Sequence, residues 1–553
     1  MKKVISILLL LSMLVCMIPA VSLTSYAEEN PKIEPDTSWY IGHESETEYK
    51  LYDAADLLGF AKLIATAGGT YNDAFASKTV FIENDIDINP GWKVGDGTPD
   101  NVWPEMVNSR DFSGTIDGKG HTISGIYQIN GVIGNGLRAG IFANVSGGTA
   151  KIKDIVIINS YSETNVSDSQ GFIWGSSSSD ATVNLENVYV DAVLVNTDAS
   201  GDVNGMGIGG LIGGVPYANG STGSVTMKNC VFAGSITVNI TSGTTYVGGL
   251  LGRYNTKGAQ FTDCASYATI KGSVTGTAET PSNLLVGGIL GDSIGKTRCV
   301  FTRCVAAPTF EITKNITGEN SGALVFGEFV GASRYQNTAY SPFTFDDVIY
   351  SGSNAILGSV YAQGTTTFET SGTAYTASIR DTKVTKVNDF STSIGEWTDW
   401  SANGNKPMPT AVLDMLATPV AEIVGYQATD EEYDKFNFRI VGVLNVEEND
   451  LANTVLSISA TATYTLEGDK ELTLENYPIT TVYTSIAGDT DTGLVTYDAK
   501  ELGGNYIFVL PCKNVPANAT DIKVEITVTY AVDDDNGIAT RTLYVEAPKD
   551  AVN

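Results

Sequence analysis

Histidine is almost missing from this chain. Only His43 and His121 occur among 553 residues, so imidazole chemistry has little to draw on. Basic residues are scarce too: 33 Lys and Arg stand against 63 Asp and Glu, a net charge of −30. A chain of that sign is repelled by phosphate backbones, which excludes nucleic acid as a partner. Cysteine is sparse. With Cys16 set aside, Cys230, Cys264, Cys299, Cys304 and Cys512 remain, an odd number that cannot pair fully within one chain. No apolar run beyond the opening residues competes as a membrane span. No phosphate loop, dinucleotide fingerprint, serine elbow or His-Glu-x-x-His motif occurs.

The one long apolar run, Val4 to Val21, follows Met1-Lys2-Lys3 and precedes Ser25-Tyr26-Ala27. A charged start, an apolar core and a small-x-small site make a secretory signal peptide, residues 1–27, cleaved after Ala27. A membrane anchor is the alternative, but the run is short for a span. Losing Lys2 and Lys3 takes the charge from −30 to −32. The expectation is a released or non-covalently held extracellular protein with no membrane insertion after cleavage.

Glycine is abundant, at 58 residues, and it repeats. Ile208-Gly-Gly-Leu-Ile-Gly213, Val247-Gly-Gly-Leu-Leu-Gly252 and Val286-Gly-Gly-Ile-Leu-Gly291 are spaced by 39 residues. Looser copies start at Gly140 and Gly171. A fixed period of this length signals a solenoid, propeller or array. A second signature follows each copy: Ile152-Lys-Asp-Ile155, Leu185-Glu-Asn-Val188, Met227-Lys-Asn-Cys230, Phe261-Thr-Asp-Cys264, Phe301-Thr-Arg-Cys304 and Phe345-Asp-Asp-Val348. A third apolar piece, such as Ser235–Val238, completes the repeat. Three short strands per repeat describe one circuit of a triangular coil, stacked in parallel on its neighbours.

Two columns follow from that stacking. Asp154, Asn187, Asn229, Asp263 and Asp347, with Arg303 as the exception, fall at one corner. Asn and Asp tolerate the left-handed backbone a tight corner needs. Carboxylates stacked there could instead hold a metal. The next position alternates Cys with Ile and Val, so Cys230, Cys264 and Cys304 read as small buried hydrophobes. Disulfides between adjacent rungs, or between Cys299 and Cys304, are the alternative.

Ahead of the repeats, residues 28–48 read as a polar leader. Leu57, Phe60, Ala61 and Ile64 share one helical face, with Asp53 as N-cap and Gly68-Gly69 as the stop. This helix is expected to cap the open end of the stack; a partner-binding helix is the alternative. Val80, Ile82, Ile86 and Ile88 alternate with Glu83, Asp85 and Asp87, a strand with one solvated face; a calcium site on those acids is the alternative.

The run Tyr52–Ile126, with its "nDIdi" strand and its Phe112-Ser-Gly-Thr-Ile-Asp-Gly-Lys-Gly-His-Thr-Ile123 turn, resembles the opening of many secreted bacterial proteins. Together with the Val-Gly-Gly-Leu-Leu-Gly units it resembles GLUG-motif proteins. The resemblance implies an all-β fold, a pectin-lyase-like right-handed parallel β-helix over residues 49–400. It implies no specific activity.

Trp397 and Trp400 read as a plug, and residues 401–418 as a linker; a sugar-stacking platform is the alternative. From Pro419 to Asn553 the period changes to alternation in six runs, from Phe436–Val443 to Thr540–Val545, which predicts an antiparallel β-sandwich. It is similar to immunoglobulin-like accessory domains of secreted clostridial proteins. The acidic turns Ala487–Gly493 and Asp533–Gly537 are calcium candidates or hairpin turns.

Candidate chemistry is thin. Asp117 and His121 share a corner and could form an acid/base pair, but a structural corner explains both. Arg253, Arg298 and Arg303 are the main mid-stack arginines, with no repeated acidic partner in the sequence. No residue is therefore assigned a catalytic, cofactor-binding or metal-ligating role, and no cofactor is implied beyond a weak calcium candidate. The expected function is a secreted, non-enzymatic binding or adhesive scaffold contacting glycans or surface proteins. The alternative is a polysaccharide lyase or glycoside hydrolase acting on an acidic polysaccharide.

Overall fold

A computed structural model describes residues 32–417, apart from 66–74, 105–111, 131–138, 198–205, 216–221, 336–342, 363–367, 372–377 and shorter pieces of loop. Beyond residue 419 it describes strand backbones alone. The chain is mostly β. Parallel strands interleaved in sequence build three parallel sheets of 20, 5 and 6 strands, the arrangement of a β-solenoid.

Each full coil has five strand positions rather than the three expected. In one coil the first strand runs Ser224–Lys228 and turns at Asn229 into the second, Cys230–Phe232. The third is Ser235–Ile240, the fourth Gly243–Gly248 and the fifth Leu251–Tyr254. The two glycines that mark the repeat divide the fourth strand from the fifth, so one expected strand is two. The first position recurs in ten rungs, from Glu48–Leu51 to Ile379–Arg380. Inside the stack, side chains at one register position pile up: Val80, Ile116, Ile152, Leu185, Met227, Phe261, Phe301 and Phe345 form one column. Its last three rings stack with centroids 4.8 and 5.2 Å apart. A coil cannot bury its inner face alone; its neighbours do so.

The glycine repeats stack in register, with Gly171, Gly209, Gly248, Gly287 and Gly327 in one column. Here a Cβ has no room. One added to Gly248 would lie 2.6 Å from Gly291 N of the next coil, and one on Gly209 2.6 Å from Gly252 N. The fourth strand of each coil thus touches the fifth strand of the next through bare backbone, so both ends of Val-Gly-Gly-Leu-Leu-Gly must be glycine.

All six expected corner residues have left-handed φ: Asp154, Asn187, Asn229, Asp263, Arg303 and Asp347, between 48° and 57°. Their side chains link from coil to coil. Asn187 Nδ2 donates to Asp154 Oδ1 (2.6 Å), Asn229 Nδ2 to Asn187 Oδ1 (2.7 Å), and Arg303 Nε to Asp263 Oδ1 (2.7 Å). Cys230, Cys264, Cys299 and Cys304 are buried and unbridged, and burial pushes the Cys264 and Cys304 thiols well up. The side chain of Cys512 lies outside the described residues.

At the start of the stack a helix spans Ala54–Ala65, and Asp53 Oδ1 accepts the Asp56 backbone N–H at 3.0 Å as N-cap. Its Leu57 and Phe60 line a small apolar cavity together with Val80, Ile82, Ile116 and Ile123. The Gly68-Gly69 stop lies outside the described residues. The stretch read as a leader contributes Trp39 and Tyr40, which pack on Tyr49, Phe60 and Phe75.

The segment after the stack differs from the plug and linker expected. The described residues between Phe390 and Ala417 lie along the outside of the second-position strands as a strap. Trp397 Nε1 donates to Asp347 Oδ2 and Trp400 Nε1 to Asp263 Oδ1, each at 3.0 Å. The Pro407 carbonyl accepts from the Tyr267 hydroxyl. A helix, Thr410–Ala417, then lies against Thr149–Thr164, Thr182–Asn196 and Ser224–Phe232. The strap covers an outward apolar column of Val156, Tyr189, Val231, Ala265, Val305 and Ile349. The physical reason lies in the second strands themselves: triplets such as Cys230-Val-Phe232 are apolar on both faces, so both need cover.

Residues 420–546 form two larger antiparallel sheets. One runs Val420–Glu432, Lys435–Asn445, Tyr506–Pro516, Val482–Tyr483; the other is built on Val455–Leu466, Thr520–Ala531 and Ile538–Glu546. The six alternating runs of the sequence all carry strand, and Val420–Glu432 adds a long one it did not announce. Both acidic turns proposed for calcium lie outside the described residues.

Candidate functional site

The ionisable residues singled out in the sequence sort into buried pairs and one open face. Asp117 is committed to its own corner: Oδ1 accepts the Lys119 backbone N–H at 3.0 Å, and Oδ2 pairs with Lys153. The His121 side chain is 8 % exposed, and its Nδ1 lies 3.5 Å from Asp85 Oδ1. Burial lowers its pKa to about 4, partly offset by Glu83. Each member of the pair imagined as acid and base thus has a partner of its own.

The strand face expected to be solvated is not. Glu83 is 3 % exposed, with both oxygens 2.7 Å from Lys119 Nζ and with Lys50 Nζ at 3.6 Å. Asp85 Oδ1 accepts the Thr122 backbone N–H at 2.8 Å. Burial raises the Asp87 pKa. The following coil lays Lys119, His121 and Thr122 over these acids, which a reading of one strand at a time cannot foresee.

Two of the arginines have acidic partners after all, each one coil away. Arg303 holds Asp263 with two nitrogens. Arg253 Nε lies 3.5 Å from Asp292 Oδ2, and Arg253 sits over the Tyr246 ring at 4.9 Å. Tyr361 donates to Asp292 Oδ1 (3.3 Å) and meets the Tyr246 hydroxyl at 2.8 Å. Asp292 is fully buried, and burial pushes its pKa up to about 6 against the pull of Arg253 and Arg334. The 39-residue glycine period already carries position 253 to 292; applied to Arg253, it would have found this pair.

Arg298 is exposed, and it belongs to the open face: the outer side of the first-position strands. Ten rungs stack there in parallel register, and among the described residues no strap covers them. The middle column reads Thr115, Lys151, Asn184, Thr226, Gln260 and Val300 before Thr344 and Arg380. Beside it, Lys151 and Lys228 share Glu186, at 3.0 and 3.3 Å, and together they lower its pKa. Among the described side chains this face carries hydroxyls, amides and paired charges, with Phe81 and Val300 as its apolar members.

The long side loops are less informative. The loop at 196–205 lies largely outside the described residues, and that at 275–283 closes on itself through Thr277 and Thr280. Among the described residues no group of three or more His, Cys, Asp or Glu is placed to hold a metal ion. Among them no helix is long and apolar enough to cross a membrane. No protein-family model matches the chain. No curated protein matches it in sequence.

Proposed function

We propose that the protein is a secreted bacterial binding or adhesive scaffold, contacting glycans or surface proteins through the outer face of its first-position strands. One observation carries this reading: among the described side chains the outer face of the first-position strands is largely polar and uncovered from Glu48 to Asp346, while the strap takes the second-position face. The ionisable residues capable of chemistry are spent elsewhere, on corners and coil-to-coil pairs. In this reading the coil winds right-handed like the pectin-lyase group, with GLUG-type glycine units. The N-terminal helix caps the first coil, residues 1–27 direct export, and the C-terminal sheets pack as an immunoglobulin-like sandwich.

The test is co-sedimentation with a panel of insoluble polysaccharides and surface proteins, run beside an assay of product release from uronate polymers with calcium. Retention without new chain ends supports a scaffold. Depolymerisation abolished by Asp117→Asn or His121→Asn overturns it in favour of a lyase or hydrolase. That second reading has one feature on its side, the meeting of Arg253, Asp292, Tyr246 and Tyr361, and Asp292→Asn tests it in the same assay.

A further inference from the structure

We propose that the exposed edge formed by the last third- and fourth-position strands, Thr309–Ile316 and Gly322–Gly327, docks an extended peptide segment of a partner protein, which adds to it as a further rung. This edge lies apart from the first-position face, so the proposal goes beyond the scaffold reading and either can fail alone.

The first argument is an interrupted coil. Val330 stands 40 residues after its register partner Leu290, but Leu357 stands only 27 after Val330. The shorter coil passes from Val348–Tyr350 directly to Leu357–Ala362, without a third or a fourth strand. Thr309–Ile316 and Gly322–Gly327 are therefore the last of their positions. The second position continues to Val348–Tyr350 and Val384–Lys386, and the fifth to Leu357–Ala362. The result is a notch, with two strand edges as its floor and later strands on either side. Among the described residues no strand pairs with that floor from its open side.

The second argument is an apolar face left incomplete. In the preceding coil Ile270, Leu284 and Val286 are fully buried. Their register partners Phe310, Leu324 and Phe326 are only partly buried, as is Ile312. The rings of Phe310 and Phe326 stack at 4.9 Å, so the two edges share one apolar surface. Earlier coils are sealed by the next one, and here that strand is missing. The peptide groups of the edge supply hydrogen bonds to a strand laid along it, and the apolar side chains supply its contacts.

The third argument is charge, and it selects the occupant. The inward column of Ile240 and Val274 ends on Lys314, and outward Lys271 is followed by Glu311. Glu311 and Lys314 are both exposed. A segment in parallel register fits when it sets an acid beside Lys314 and a cation beside Glu311, between apolar residues over Phe310 and Ile312. A second copy of this chain does not meet that demand. A two-fold axis pairs Thr309–Ile316 antiparallel with itself. The registers that keep inward side chains together then set Lys314 opposite Phe310 or Ile312 at their fullest overlap. The lysine thus also guards the edge against self-pairing.

The test measures binding of three synthetic peptides to the whole exported chain at low salt. The first has the sequence of residues 309–327, the stretch that itself lies on the preceding coil. The second is that peptide with Glu311→Lys and Lys314→Glu, and the third is a scrambled version of the second. The second is expected to bind about 10-fold tighter than the first, and the third not at all. Glu311→Lys with Lys314→Glu in the protein should reverse the preference at an unchanged melting temperature. Amide exchange should slow at Thr309–Gly327 and stay unchanged in the first-position strands. Binding of no peptide, equal binding of the first two, or protection elsewhere would overturn the inference. So would a concentration-dependent dimer whose formation protects Thr309–Gly327, which assigns the edge to a second copy. None of these probes is a glycan, so the scaffold reading stands or falls by its own assay.

Discussion

The Arg253 guanidinium lies against the Asp292 carboxylate of the next coil, Nε to Oδ2 at 3.5 Å, with the Asp292 side chain fully buried. The pairing follows from register, since positions 253 and 292 are direct neighbours in adjacent fifth-position strands. It is also strained electrically, because Oδ2 has no hydrogen bond and burial raises the acid's pKa to about 6.

That shift makes stability depend on pH. Unfolded Asp titrates near ~3.9, so ionising Asp292 opposes the fold. Its contribution is complete below pH ~4 and is lost as pH rises through ~6, by about 3 kcal/mol. His121 acts in the opposite sense. Its folded pKa of about 4 lies below the free value, so its contribution is complete above pH ~6.5 and lost as pH falls towards ~4. In the intact protein the two slopes oppose one another. Asp292→Asn should therefore leave urea midpoints rising with pH between ~4 and ~6.5, and His121→Gln should leave them falling. Parallel curves for all three proteins would show that neither group titrates as its burial requires.

The corner column gives a second measurement. Asn187 has φ of 52° and bonds both neighbours, donating to Asp154 and accepting from Asn229. Asn187→Val adds a left-handed penalty of about 1–2 kcal/mol and loses two hydrogen bonds worth about 1 kcal/mol each. The expected loss is about 3 kcal/mol by urea unfolding. Asn187→Gly keeps the backbone and loses only the bonds, about half as much. A larger loss for Gly than for Val would refute the role of φ.

These corners show what the sequence makes legible. Asp154, Asn187, Asn229 and Asp263 recur at fixed places in a repeat, and the stack turns each recurrence into a column. The Gly-Gly units are legible for the same reason, and so is the switch to alternation after residue 419. What stays hidden is whatever does not repeat. Trp397, Trp400 and Val412 meet partners spread over several coils, and no local pattern in 390–417 names them. The binding side was nonetheless visible, in the doubly apolar triplets of the second strands. Glu83 was misjudged because its cover, Lys119, comes from the next coil. The outer face of the first strands was not foreseen because its columns appear only once the register is known.

The strap should lock the coils it crosses. Trp400 is 6 % exposed, and its ring lies 5.0 Å from that of Trp397. Trp400→Ala is expected to cost about 3–5 kcal/mol. It should also raise amide exchange in the second-position strands, Val231 and Val305 included, before that of the fourth and fifth. Trp400→Phe loses the bond to Asp263, which Arg303 still holds, and part of the indole's packing, and should cost about 2 kcal/mol, less than the Ala change. Exchange that accelerates evenly around the coil would mean that the strap stabilises no particular face.

The glycine contact makes the most position-dependent prediction. A Cβ on Gly291 would lie 2.7 Å from Val247 N and 2.9 Å from Tyr246 C, both backbone atoms of the preceding coil. The strand Leu290–Ile294 is paired on both sides, with Leu251–Tyr254 and Val330–Tyr335, so it cannot move away. Gly291→Ala should cost at least ~3 kcal/mol, as overpacking that no side chain can relieve. Gly358→Ala meets backbone as well, with Gly331 O at 2.5 Å, but its strand is the last of the six-stranded sheet. Its outer edge is held by a single bridge, Val360 with Glu369, so it can shift more readily than Leu290–Ile294, and its loss should be smaller. Gly147 has nothing within 4 Å of the added Cβ, so Gly147→Ala should stay within about 0.5 kcal/mol. If the three substitutions cost the same, close approach of the fourth and fifth strands is not what requires glycine in this repeat.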